Sequence, residues 1–190
     1  ELILKLKSYF MNCEKLQQHV SFLYSKGSLY LAFNDNLLYH ACVPLDADGS
    51  FKKVKIRDNY YSGKALLDKL DKIARDAYFQ KSKHTDEYNR YCLDFMWYLW
   101  CGEYSPLFGK NKMTTFERYF IEDKNSWTET KNMYFTLRDN EDTCIKILKE
   151  FGLNIVSSHI INGHVPVKTI KGESPIKADG KLLVIDGGFS

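Results

Sequence analysis

The sequence predicts an α/β (α+β) chain with a helical insertion, and three observations predict it. Two apolar runs near the end stop at turn residues beside a candidate functional side chain: Ile160-Ile161 before Asn162-Gly163-His164, and Leu182-Leu183-Val184-Ile185 before Asp186-Gly187-Gly188. Buried strands end in this way when they present chemistry at their carboxyl edge, where ligands gather in open α/β sheets. Residues 29–33 and 37–43 are β-prone runs around Asn34-Asp35-Asn36, which is a hairpin signal. Between residues 63 and 101 the apolar positions change to helical spacing.

In chain order, residues 1–26 carry apolar positions at mixed helical spacing and Gly27 suits a C-cap, so one or two helices open the chain. After the hairpin, Asp46-Ala47-Asp48-Gly49 reads as a turn into a short strand over 51–56, with Lys52, Lys53 and Lys55 on its solvated edge. Leu66, Leu67, Leu70, Ile73, Ala74 and Ala77 give residues 63–80 one apolar face. Thr85 is placed to cap the next helix, with Asp86 and Glu87 in its first turn. Tyr88, Tyr91, Cys92, Phe95, Met96 and Leu99 form its buried stripe, and Trp97 and Trp100 read as core beside it. Residues 101–133 are mixed and loop-rich. Asp139 or Asn140 caps a helix through Phe151, and Gly152 ends it before a strand over 154–161, in which His159 is expected to face a helix. Asp179-Gly180 is a hairpin turn. His19 and His84 read as surface residues.

Composition narrows the function classes. The chain has 190 residues, 44% hydrophobic and 27% charged, which is the balance of a folded protein and enough for one sizeable core. A net charge of +3 is too small to argue for nucleic acid. The apolar stretches fall far short of a membrane span, and no signal-peptide pattern opens the chain. Cys13, Cys42, Cys92, Cys101 and Cys144 are odd in number, widely spaced and without a CxxC pair, which fits reduced, cytosolic thiols. The chain opens inside an apolar segment and stops just past a strand, so it is expected to be part of a longer protein.

His164 is the first candidate for chemistry, as a metal ligand or as a satisfied structural imidazole. His40 strengthens the ligand reading, because it too follows an apolar run, Leu37-Leu38-Tyr39. The two can converge only if their strands share a sheet. Neutral imidazoles suit manganese, iron or zinc, and the chain shows no obvious carboxylates to complete such a site. The second candidate is the stretch from Leu99 to Phe120, where Lys110, Lys112 and Arg118 offer cations on an irregular loop, either to bind phosphate or as ordinary surface charge. Glu173, Lys177, Asp179 and Asp186 lie on turns and connections. The helical pair over 63–101 could pack against another subunit, as in a homo-oligomer or a non-catalytic assembly module.

INGHVPVK, GESPIKADGKLLVIDGGFS, LWCGEYSPLFGK, TTFERYFIEDK and LLYHACVPL occur in the right order and together closely resemble the carboxyl-terminal half of the class III fructose-1,6-bisphosphatases, over essentially the whole chain. That family belongs to the calcineurin-like metallophosphoesterases. The resemblance implies part of a β-sandwich flanked by helices, holding two divalent ions, with manganese the expected metal. It also implies a cytoplasmic enzyme of gluconeogenesis acting on fructose 1,6-bisphosphate. By position, His40 and His164 match the two late histidine ligands, with Ala41-Cys42 standing after His40 where the family pattern has Gly-Gly. The early Asp-x-His, Gly-Asp-x-x-Asp-Arg-Gly and Gly-Asn-His motifs are absent from the chain. The general acid, the bridging carboxylates and the rest of the two-metal site are therefore expected from residues outside it, and the chain alone is expected to be inactive. A phosphoprotein or dinucleoside polyphosphate phosphatase of the same superfamily is the alternative reading.

Overall fold

The computed structural model describes residues 1–79 and 87–186 and bears out the α/β (α+β) class. Two helices open it, α1 (Leu2–Asn12) and α2 (Glu14–Lys26), and neither buries a residue. Gly27 closes α2 with its N–H on the Leu23 carbonyl, in extended backbone. Arg75 secures that exit by donating to the Tyr24 and Gly27 carbonyls.

The first hairpin pairs β1 (Tyr30–Phe33) with β2 (Asn36–Tyr39). Its loop is Asn34-Asp35, both at positive φ (48° and 57°), the turn geometry that matches strand twist. The single strand expected over 51–56 is instead an isolated bridge between Leu45 and Phe51 followed by a second hairpin, β3 (Val54–Ile56) and β4 (Asn59–Tyr61). β4 buries no residue fully, so no apolar alternation marked it.

The helical insertion is α3 (Gly63–Phe79) and α4 (Glu87–Cys101). Leu66, Leu70, Ile73, Cys92 and Leu99 bury against Val54 and Ile56, with Tyr88, Tyr91, Phe95 and Met96 packed around them as the stripe predicted. Each such burial is worth roughly 1.5–3 kcal/mol against exposure. Trp97 and Trp100 are not core: they are 64% and 57% exposed and meet edge to face at 5.0 Å. Their three-residue spacing makes them neighbours on the helix surface, outside the arc that Cys92 and Leu99 bury. The expected cap Thr85, its neighbour Asp86, Gln80, His84 and the Gly187-Gly188 turn lie outside the described residues.

The loop-rich middle holds α5 (Thr115–Phe120), and α6 (Tyr134–Leu137) follows it. The next helix, α7 (Glu141–Glu150), is capped by Asn140, whose side chain accepts from the Asp142 N–H, and the chain leaves it through Gly152 at φ 73°. The strand expected over 154–161 is shorter, β5 (His159–Asn162). Asn154 accepts the N–H of Val156 with its side chain and that of Ser158 with its carbonyl, which closes a turn in place of extended backbone. His159 is exposed, where the sequence pointed to a helix covering it.

β6 (Ile176–Lys177) and β7 (Leu182–Val184) flank the expected turn and finish a sheet of order β1-β2-β5-β7-β6. β2, β5 and β7 are parallel, and the edge strands run antiparallel to their neighbours. The register sets Leu37, Ile160 and Leu182 in one row and Tyr39, Asn162 and Val184 in the next. Both rows are buried, within a core that includes Tyr134, Ile147, Leu148 and the segment from Cys42 to Leu45. The opposite face, carrying Leu31, Leu38, Ile161 and Leu183, is only partly covered among the described residues.

Candidate metal and phosphate site

Because β2, β5 and β7 are parallel, the residues that follow them leave the sheet at one edge: His40 after Tyr39, Gly163-His164 after Asn162, and Ile185-Asp186 after Val184. Backbone bonds tie these exits together. Gly163 donates to the His40 carbonyl (2.9 Å), Ile185 to the Asn162 carbonyl (2.8 Å) and Val167 to the Asp186 carbonyl (3.0 Å). His164 sits at φ 69°, a region few non-glycine residues occupy, as the chain reverses before Pro166. The outcome is that His40 Nε2 and His164 Nδ1 stand 2.9 Å apart, although 124 residues separate them in sequence. Their rings cross at 76° with centroids 4.8 Å apart. The condition set by the sequence, that the two strands share one sheet, is met.

Burial is the main influence on His164 and lowers its pKa below the ordinary value. The neighbouring His40 and Lys110 charges act in the same direction, while the Phe108 backbone and Asp186 oppose them. The imidazole is therefore neutral at pH 7, the form that offers a lone pair to a metal. Two converging imidazole nitrogens fit a divalent transition metal as two ligands of its shell. Among the described residues no group of three or more His, Cys, Asp or Glu is placed to hold an ion, so these residues offer an ion at most two imidazoles at this edge.

A buried polar layer supports this edge. Asn162 donates from Nδ2 to the Ala41 carbonyl (3.0 Å) and to the Tyr134 hydroxyl (2.8 Å), and the Tyr134 and Tyr39 hydroxyls are hydrogen-bonded at 2.8 Å. Sequence reasoning treated Asn162 as a turn residue; the available signal was a polar side chain closing an apolar strand. Phe135, also missed, has its ring centroid 6.4 Å from that of His164. It packs so closely on Gly109 (φ 64°) that a Cβ there would come within 2.7 Å of the ring.

Of the three candidate cations, Lys110 is the one whose charge reaches His164. Its ammonium pairs with Glu129 at 2.7 Å. Burial alone would raise the Glu129 pKa, but hydrogen bonds from Lys110 and from the backbone and hydroxyl of Thr114 outweigh it and hold the carboxyl at about 2. Lys112 donates to the Ser126 carbonyl (3.0 Å), and Arg118 to Thr114 Oγ1 (3.1 Å) and the Trp127 carbonyl (3.2 Å). Both cations thus brace their own loop. On the last connection, Glu173 accepts from the Lys168 N–H and pairs with Lys177, while Asp179 forms the turn.

Comparison with known proteins adds to this geometry. A sequence model described as Firmicute fructose-1,6-bisphosphatase matches residues 1–190. The chain is 65% identical over 190 residues to a protein of Clostridium beijerinckii named fructose-1,6-bisphosphatase class 3 1, and 59% identical over 189 residues to a fructose-1,6-bisphosphatase class 3 of Clostridium tetani. A Clostridium botulinum protein of the same name is 60% identical over 189 residues. In each comparison all of this chain is covered, and it spans 28% of the relative's length. No solved structure matches the chain significantly.

Proposed function

This chain belongs to the Firmicute fructose-1,6-bisphosphatase family, and from that premise we propose that the protein carrying it hydrolyses the 1-phosphate of fructose 1,6-bisphosphate to give fructose 6-phosphate in gluconeogenesis. The observation that carries the reading is the convergence of His40 and His164 at 2.9 Å on the carboxyl edge of the parallel strands. We assign both as ligands of a divalent ion, manganese in this proposal, within a two-metal site completed by residues outside the chain. Such an ion supplies Lewis-acid polarisation of the phosphoryl group and lowers the pKa of water. The chain's own residues do the rest of what is assigned here. The imidazoles hold position on the sheet edge, Asn162 and Tyr134 keep that edge rigid, and Lys110 meets phosphoryl oxygens, with Lys112 and Arg118 as further phosphate contacts on the same loop.

In this reading residues 1–190 are the carboxyl-terminal part of a metallophosphoesterase catalytic domain. The partly covered face of the sheet, with Leu31 52% and Leu183 37% exposed, supports it, since a second layer would bury that face. No helix among the described residues is long and apolar enough to cross a membrane. We place the enzyme in the cytoplasm, without a nucleic-acid partner. The exposed Trp97–Trp100 pair favours a second role for α4 as a contact between subunits of a homo-oligomer.

The test is phosphate release from fructose 1,6-bisphosphate with manganese, using this chain, a protein of the relatives' full length carrying it, and the His164→Ala variant of the latter. Activity in the long protein alone, lost in the variant, is the expected result. Full activity in the variant would remove His164 from the site, and activity in the 190-residue chain would place the missing carboxylates within it.

A further inference from the structure

One cleft is left unexplained by the imidazole pair. It has a volume of about 210 Å³, lies between the segments at 45–52, 103–111 and 130–133, and has Lys52, Lys110 and Lys131 in its wall. Building on the proposed function, we propose that this cleft binds the second phosphate of the substrate, the 6-phosphate that is not hydrolysed.

The wall is fixed by backbone. Lys110 and Lys131 face each other across an antiparallel bridge, and the Asn111 and Thr130 segments are joined by bonds of 3.0 Å and 2.8 Å. Asn132 Oδ1 accepts from the N–H groups of both Leu45 and Tyr134, which locks the third segment to the other two. Asn111 and Asn132 spend their amide oxygens in this way and retain their NH2 groups as donors. The charges differ in their engagement. Lys52 pairs with Asp46 at 2.8 Å and Lys110 with Glu129 at 2.7 Å, whereas Lys131 has no carboxylate within 4.0 Å among the described residues. Asp46 and Glu103 also line the cleft, Asp46 held by Lys52 and Glu103 hydrogen-bonded to Tyr104.

Position links the cleft to the imidazoles. The Lys131 ammonium is 5.9 Å from the centre of the Phe135 ring, and the His164 ring is 6.4 Å from the same centre. The unpaired ammonium and the His164 imidazole thus both lie near one phenyl ring, and Lys110, which lines the cleft, also makes its charge felt at His164. A hexose bisphosphate carries two dianions on one sugar, so a substrate held at the imidazoles needs a second anion site beside them. Lysine ammonium groups and neutral amide donors are the chemistry that holds a phosphate monoester.

The test uses a protein of the relatives' full length carrying this sequence, assayed with manganese, and its Lys131→Gln and Lys52→Gln variants. The expected result for Lys131→Gln is a KM for fructose 1,6-bisphosphate raised ~10-fold or more, as for a lost charge-assisted contact, with kcat within about twofold. The inhibition constant of fructose 6-phosphate, which keeps the distal group, should rise in parallel, and Lys52→Gln should act in the same direction. Kinetics on fructose 1-phosphate, which lacks that group, should stay unchanged, which also shows that the variants fold. An unchanged KM for the bisphosphate, or equal losses on both substrates, would overturn the cleft assignment. A lack of bisphosphate hydrolysis by the unmodified protein would overturn the proposed function instead.

Discussion

Asn162 and Tyr134 meet through a hydrogen bond of 2.8 Å inside the core, two residues back along the chain from the imidazole of His164. With the second bond from Asn162 to the Ala41 carbonyl, it ties the exits of β2 and β5 to α6. Asn162→Ala should leave the Tyr134 hydroxyl and the Ala41 carbonyl short of a partner, at a cost of about 1–3 kcal/mol in denaturant unfolding. It should also loosen metal binding, as changes behind a ligand commonly do by roughly 10–100-fold. Native metal affinity in a destabilised variant would show that the polar layer supports the fold without orienting the ligands.

Gly109 and Phe135 pack against each other beside His164. A Cβ at Gly109 would come within 2.7 Å of the ring, and the backbone there is left-handed. Gly109→Ala should therefore cost on the order of 1–3 kcal/mol and lower the midpoint of thermal unfolding. A variant as stable as the parent would mean that the loop can shift away from Phe135 freely.

Acid stability should report on Glu129. Its pKa in the folded protein is about 2, against an ordinary 4.5, so the unfolded chain binds more protons between those values. The stabilisation is complete above the ordinary value and drains away as pH falls toward the folded one. Urea unfolding of Glu129→Gln should differ most from the parent at neutral pH, and the gap should shrink as the solution is acidified. A gap of constant size would deny the carboxylate its ionic role.

The architecture was legible where one local signal sufficed. Asn34-Asp35 announced a hairpin, Asn140 and Gly152 bracketed α7, and the apolar runs ending at His40 and His164 pointed to one sheet edge. Misreadings came where a side chain competed with the pattern. Asn154 turned a β-prone segment into a local turn, and Trp97 and Trp100 look like core by residue type but fall on the outer arc of α4. At the site, the imidazoles and Lys110 could be named from the sequence. Phe135 and Lys131 could not, because their importance arises from contacts with distant segments, the ring against Gly109 and the bridge to Lys110, while Asn162 left only the mark of a polar side chain closing an apolar strand.

Each imidazole should contribute separately to metal affinity. His40→Ala and His164→Ala should each weaken manganese binding by more than the roughly 10–100-fold typical of residues behind the ligands, as read by titration calorimetry. His159→Ala, on the exposed face of β5, should leave binding unchanged. An effect of His159→Ala equal to the other two would point to a general loss of structure.

Pulsed electron paramagnetic resonance of manganese bound to a protein of the relatives' full length, with histidine labelled by nitrogen-15, tests the central claim most directly. Coupling to histidine nitrogens that diminishes in both His40→Ala and His164→Ala is the expected result. A spectrum unchanged by either substitution would contradict the assignment of this sheet edge as half of the metal site.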